Sequence, residues 1–360
     1  MGKIMSERLQ LLERLVNANG ASGFERDIRL MMKDEFEKLG VEISYDNIGS
    51  IVGTKVGKAG GPVIAIPGHM DEIGLLVTKI TDEGFLKFQQ IGGWWPHVML
   101  SQQFNVVTKE GKLIRAVTGS KPPHILKGEE RSRVLDINDL YLDMGVKSKE
   151  EAEQIGVRVG DQVVPAIEFQ VMANPDLLLA KAFDNRVGCA IAIEVLKELQ
   201  DQKHDNVVCG IGTVQEEVGL RGARTVAQMI KPDVVFALDV TIATDMPGLN
   251  NTCKLGEGPA ILLKDGALLG HRGLREFVVD ICEKHNIPYQ IDYLASGGTD
   301  AGAMHLVHSG APAMSLCIPS RYIHSHTSMI SRSDYENAIK LLTEVIKALD
   351  EEAYQKIKEA

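Results

Sequence analysis

The sequence predicts an α/β fold, a mostly parallel sheet sandwiched by helices, with a small β-barrel-like domain inserted into it. Three observations lead there. Apolar strands alternate with helices in the first sixty residues or so and again after Asn174, the pattern of a sheet covered on both faces. Between about Ile73 and Phe169 the texture changes to short β-like runs at roughly 8–12-residue spacing, separated by glycines and charged turns. The 360 residues also exceed one ordinary domain of about 150. The boundaries that follow are 1–70 and 170–360 for the α/β domain and 71–169 for the insertion.

The elements read as follows. Leu9, Leu12, Leu15 and Val16 recur at helical spacing, and Gly20 stops the run. Ser22 with Glu25 has the form of a capping box for a second helix that ends at Gly40. Extended segments follow at Val41–Tyr45 and Ser50–Thr54, and Val63–Ile66 is apolar enough to be buried on both faces. The insertion offers strands at Gly74–Lys79, Phe85–Gln89, Gln103–Thr108, Leu113–Val117 and Gln162–Glu168, with a helix at Glu150–Ile155. Val187, Ile191, Val195 and Leu199 then mark a helix face. Strands are expected at Val207–Val214, Val234–Leu238, Ala260–Leu263, Tyr289–Tyr293 and Pro312–Ile318, with helices closing at Ile230 and spanning His271–Lys284. Ser333 and Glu336 open the last helix as a second capping box.

Composition narrows the function. With 44% hydrophobic and 24% charged residues the chain is an ordinary globular protein with a large core. Lys+Arg 39 against Asp+Glu 49 gives a net charge of −10, which disfavours nucleic acid or an anionic membrane as partner. No apolar run approaches the roughly 18 residues of a membrane span. Charges at Lys3, Glu7, Arg8, Glu13 and Arg14 break Met1–Gly20, so no signal peptide is expected there. Met1-Gly2-Lys3-Ile4-Met5-Ser6 fits a short myristoylation pattern and is read as a chance match. Cys189, Cys209, Cys253, Cys282 and Cys317 stand far apart with no C-x-x-C pair and read as buried, reduced and structural. A cytoplasmic protein is expected.

Chemistry gathers at the strand ends. Four buried-looking strands run into Gly68-His69-Met70-Asp71-Glu72, Gln215-Glu216-Glu217, Asp239 and His324-Ser325-His326. A fifth segment, Phe183-Asp184-Asn185-Arg186, sits ahead of an apolar helix. In open α/β sheets ligands bind outside the carboxyl ends of the strands. Taken singly, Asp184 can be an N-cap, Asp239 can accept from a turn and a histidine can be a loop residue. Together they form a ligand set for two borderline ions such as Zn²⁺ or Co²⁺. Two ions roughly 3.5–4 Å apart need a bridging carboxylate and separate ligands, and His69, Asp184, Glu217, Asp239 and His324 supply these with Glu216 left over. Neighbours in an extended segment face opposite ways. On that basis Glu217 faces the metals and Glu216 faces the substrate as general base. Asp71, two residues from His69, is placed to accept the other imidazole N–H. His324 and His326 can point the same way, so spacing leaves both open. Ser296-Gly297-Gly298-Thr299-Asp300 is either a pocket wall or only a tight turn.

Gly68-His69-Met70-Asp71-Glu72, Phe183-Asp184-Asn185-Arg186, Gln215-Glu216-Glu217-Val218-Gly219, Leu238-Asp239 and Arg321-Tyr322-Ile323-His324-Ser325 resemble, in order, the motifs of the dinuclear glutamyl or tetrahedral aminopeptidases, family forty-two of the metallopeptidases. The resemblance implies a zinc-exopeptidase-like fold over essentially the whole chain. It implies His69 and Asp239 on one metal, Glu217 and His324 on the other, Asp184 as bridge, Glu216 as general base and Asp71 behind His69. It also implies that the insertion pairs subunits into dimers, six of which build a tetrahedral dodecamer. The expected reaction is hydrolysis of the first peptide bond of substrates with a free N-terminus, a metal-bridged water being the nucleophile. A related N-acyl deacylase or carboxypeptidase shares the ligands and differs in substrate anchor. A glycoside hydrolase using Glu216 and Glu217, or a non-catalytic peptide-binding protein, fits less well. Preference for the first side chain is not legible; Arg221, Arg321 and Lys264 are the cations nearest the relevant loops.

Overall fold

The computed structural model describes residues 6–360; Met1–Met5, which carry most of the myristoylation-like pattern, lie outside the described residues. Its centre is a parallel run of four strands, Val207–Thr213, Val63–His69, Val234–Ile242 and Ala313–Arg321. Antiparallel strands extend it on both sides. Ile51–Val56 and Glu42–Tyr45 lie beyond Val207–Thr213, and Ser328–Ser331, Leu177–Ala180 and Gln170–Val171 lie beyond Ala313–Arg321. The mixed α/β architecture with a parallel core is therefore as expected.

Side-chain alternation explains the layers. Ile64 and Ile66 enter one core with Phe236, Leu238 and helix residues such as Phe36, Ile191 and Leu342. Ala65 enters the opposite core with Val235, Ala237, Val226 and Met304. Period-two strands buried on both faces demand helices on both faces. Phe183–Glu198 is the central helix; it is buried nearly all round, which is why its sequence is apolar on every side.

Between His69 and Gln170 the chain builds a closed barrel. Its strands follow the order Gly74–Ile80, Leu86–Ile91, Tyr141–Asp143, Leu113–Gly119, Gln103–Val107 and Gln162–Pro165, the last pairing back to the first. Leu75, Val77, Phe88, Trp94, Phe104 and Val106 fill it. Tyr141–Asp143 is too short to show in the sequence.

Two helix starts differ from expectation. The second helix spans Arg26–Leu39 with Glu25 at its N-cap and no side-chain capping bond. Ser22 instead donates to Asp71 Oδ2 at 2.6 Å, and the Glu25 carboxylate accepts from the backbone N–H of Gly23 and Gln215. A tertiary carboxylate has won the local competition for the hydroxyl. The long helix near the C-terminus is Arg332–Ala348, capped by Ser331 rather than Ser333, because Ser331 Oγ accepts from Asp334 N–H.

All five cysteines are buried and unpaired with one another. Burial pushes the thiols of Cys189, Cys253 and Cys282 up to about 12 and that of Cys209 up to about 11, so almost no thiolate exists at neutral pH. Native protein at pH 7.5 is expected to leave all five unalkylated by iodoacetamide, and unfolded protein to label at all five. Rapid labelling of any one in the native state, read by intact mass, would contradict the structural reading.

Candidate metal centre

The carboxyl edge of the parallel strands brings five separate segments together. His69 ends Val63–His69, Asp239 lies within Val234–Ile242, and Glu216–Glu217 follow Val207–Thr213. Asp184 sits at the head of the central helix. There the backbone is non-helical at Asp184 and Asn185, the Asp184–Asn185 peptide is cis, and no side chain caps the helix. The Asp184 carboxylate is therefore not an N-cap. One oxygen, Oδ1, lies 3.0 Å from His69 Nε2, and the other, Oδ2, lies 3.5 Å from His324 Nε2.

Around that carboxylate the remaining groups close in. His324 Nε2 is 3.5 Å from Glu217 Oε2, and His69 Nε2 is 3.9 Å from both Glu216 Oε2 and Asp239 Oδ1. Among the described residues two overlapping groups have metal-binding spacing, His69–Glu216–Asp239 and His69–Asp184–Glu217. Asp239 Oδ1 also accepts from Val240 N–H at 2.8 Å, so the turn-like bond and the site contact coexist. His326 lies apart: its ring meets Phe104 edge-on at 5.3 Å, and burial lowers it to about 4.

The alternation argument for Glu216 and Glu217 fails. Regular strand ends at Thr213, and Gln215 turns the chain at φ 56, so both glutamates line one cavity. What holds them is Asp71. Its Oδ1 accepts from Glu216 N–H at 3.0 Å, and its Oδ2 accepts from Glu217 N–H at 3.2 Å and from Ser22. Toward His69, the closer partner of Nδ1 is the Asp71 backbone carbonyl at 3.0 Å, with the carboxylate at 3.5 Å. Both contacts favour the tautomer that leaves Nε2 free to bind a cation.

Sequence reasoning missed Gly92 and Gly93, which return from the barrel to the site. The Gly93 carbonyl accepts from His324 Nδ1 at 2.8 Å, again leaving Nε2 inward. At Gly92, φ is +75, and a Cβ would meet Ile73 Cγ2 at 2.6 Å and Glu217 Oε2 at 3.1 Å. The Gly-Gly pair before Trp94 was the available signal. Gly92→Ala is expected to displace Glu217 and weaken zinc binding about tenfold or more, the scale of a lost supporting contact. Calorimetric zinc titration reads this, and an unchanged affinity contradicts it.

Burial and crowded charge shift the titration of the site. Burial, with Asp239, Asp300 and Glu217 nearby, raises Glu216 well above the usual carboxylate range, and burial with Asp184 does the same to Asp239. Glu217 is pushed up to about 8 by burial and the Asp184 charge. Burial opposes charge on His324, yet its bond to Asp184 and the Glu217 charge raise it to about 10. Carboxylate and imidazole groups ligate cations only when deprotonated. Glu217 Oε1 is buried without a hydrogen-bond partner. Two imidazoles, several carboxylates and an orphaned carboxylate oxygen fit divalent ions of the zinc type.

The chain resembles known proteins over nearly its whole length. The chain is 37% identical over 347 residues to the putative aminopeptidase FrvX of Escherichia coli (strain K12), covering 96% of each chain. It is 35% identical to the glutamyl aminopeptidase of Lactococcus lactis subsp. cremoris (strain MG1363), covering 98% of this chain and 99% of that one. Its structure resembles the TET aminopeptidase of Thaumarchaeota archaeon SCGC AB-539-E09 with a TM-score of 0.94 and 40% identity, over 98% and 99% of the two chains. The TET1 peptidase of Pyrococcus horikoshii, which can assemble into a tetrahedron or a large octahedral shell, matches at TM-score 0.85 and 33% identity over 95% and 100%. A family model for M42 glutamyl aminopeptidases matches residues 49–341, and the chain belongs to that family.

Proposed function

We propose that the chain is a two-metal aminopeptidase that releases the first residue of peptides with a free N-terminus. The observation that carries it is the Asp184 carboxylate, one oxygen toward His69 and the other toward His324. This is the disposition a bridging ligand needs. His69 and Asp239 then hold one ion, Glu217 and His324 the other, with zinc or cobalt suited to these donors. When bound, a pair of divalent ions polarises the scissile carbonyl and makes water nucleophilic near neutral pH.

The protein's own groups do the rest. Glu216 faces the same cavity as the ligands and is held by its backbone N–H on Asp71. It takes the proton of the attacking water and returns it to the leaving amine, worth about 10²–10⁴ in rate. Asp71 positions His69, Glu216 and Glu217 at once. A free N-terminal amine is a Lewis base that a bound ion would accept, whereas an acylated nitrogen is not.

In this reading 1–70 and 170–360 are the catalytic domain, and 71–169 is an insertion that pairs subunits into dimers. The dimers assemble into a dodecamer, a reading supported by the shells that the Pyrococcus relative forms. No helix among the described residues is long and apolar enough to cross a membrane, and a cytoplasmic location is proposed. Unblocked and Nα-acetylated forms of one peptide separate this function from a deacylase. Release of the first residue from the unblocked form alone is expected; equal turnover of both contradicts the reading.

A further inference from the structure

The five segments of the site open into one cavity of about 440 Å³, within the range of small-molecule sites. Beyond the acidic and histidine groups its apolar lining is Val240, Ile242, Met246, Leu294, Tyr322 and Ile323, and its polar lining is Thr241, Ser320 and the Ser296–Thr299 turn. Of the two readings of this glycine-rich turn the pocket wall holds: its first four residues line the pocket, and Asp300 accepts from Thr213 Oγ1 instead. Val240 and Ile323 line the pocket beside the donors while packing against the main core.

Among the described residues no lysine or arginine lines this space. Arg321 is held by Asp245 through two contacts, Nε at 3.0 Å and Nη2 at 2.6 Å, and does not line the cavity. Arg221 donates to Gln215 Oε1 at 2.9 Å, and neither it nor Lys264 lines the cavity. Nor does any acid beyond the donor group itself. Its four carboxylates, Asp184, Glu216, Glu217 and Asp239, balance the charge of two dications, leaving no surplus of either sign for a charged side chain.

A substrate whose amine lies at the donor group has its Cα one bond away, about 1.46 Å, so its first side chain starts inside this cavity. We propose that the cavity selects an uncharged aliphatic first residue, of the leucine, isoleucine, valine or methionine class, and rejects both acidic and basic ones. An acid or ammonium there loses water and finds no partner. This rests on the aminopeptidase reading, and it departs from the acidic residue in the name of the Lactococcus relative.

The test uses metal-loaded enzyme and the p-nitroanilides of leucine, methionine, glutamate and lysine, with calorimetric binding of the free amino acids as a second readout. The kcat/KM for leucine or methionine is expected to exceed that for glutamate or lysine by about a hundredfold or more. Free leucine is expected to bind more tightly than glutamate or lysine. Leu294→Arg, on a wall residue outside the donor set, is expected to lower the leucine-to-glutamate ratio by about tenfold or more. Faster release from the glutamate or lysine anilide overturns the selectivity and leaves the aminopeptidase standing. An unchanged ratio in Leu294→Arg with intact metal content overturns the assigned wall. Release from none of the four by loaded enzyme overturns the selectivity together with the reading beneath it.

Discussion

Glu216→Gln is expected to keep two divalent ions per subunit while losing turnover by about 10²–10⁴-fold. The substitution preserves volume and the backbone N–H that Asp71 Oδ1 holds at 3.0 Å, so the segment carrying Glu217 stays in place. What it removes is a carboxylate able to take a proton. The result discriminates, because geometry alone puts Glu216 in a metal-spaced group with His69 and Asp239. If Glu216 were a ligand, metal content or affinity would fall along with turnover. Metal analysis beside kcat on one unblocked substrate separates the cases, and retained turnover rules out the proton-transfer role.

Asp184→Ala is expected to empty at least one of the two positions and abolish turnover. The carboxylate spans His69 and His324, so its removal strips a donor from each side. It also unbalances the charges: the bonds to His324 and His69 hold Asp184 well below the usual carboxylate range, against burial. Without it His69 loses its nearest anion and His324 loses one of its two. Since Asp184 caps no helix, folding is expected to survive, which a far-UV spectrum checks. Two ions bound as in the parent would remove Asp184 as the bridge.

Much of this was legible in the sequence because it follows from periodicity. Val63–His69 and Val234–Ile242 are apolar on both faces and carry His69 at the end of the first and Asp239 three residues before the end of the second, so the sheet edge and its chemistry could be read together although the second strand runs past Leu238. The barrel was visible as a change of texture, although Tyr141–Asp143 was too short to find. What was not legible depends on contacts distant in sequence. Ser22 and Glu25 look like a capping box, but Asp71 and Gln215 N–H compete for them across the fold. The two glutamates look like alternating strand residues, but a left-handed Gln215 turns both inward. Gly92 and Gly93 look like ordinary turn residues of the barrel. Their role exists only because the barrel leans a carbonyl onto His324. Arg321 looks available in sequence as a specificity cation, but Asp245 holds it from a loop 76 residues away.

The most direct test of the two-metal aminopeptidase is release of the first residue by chelated enzyme as Zn²⁺ or Co²⁺ is titrated back, on one peptide with a free and with an acetylated N-terminus. The account predicts no release from the chelated protein. Turnover should return as two ions per subunit bind, and on the free N-terminus alone. Release by metal-free enzyme, or equal release from the acetylated peptide, would contradict it.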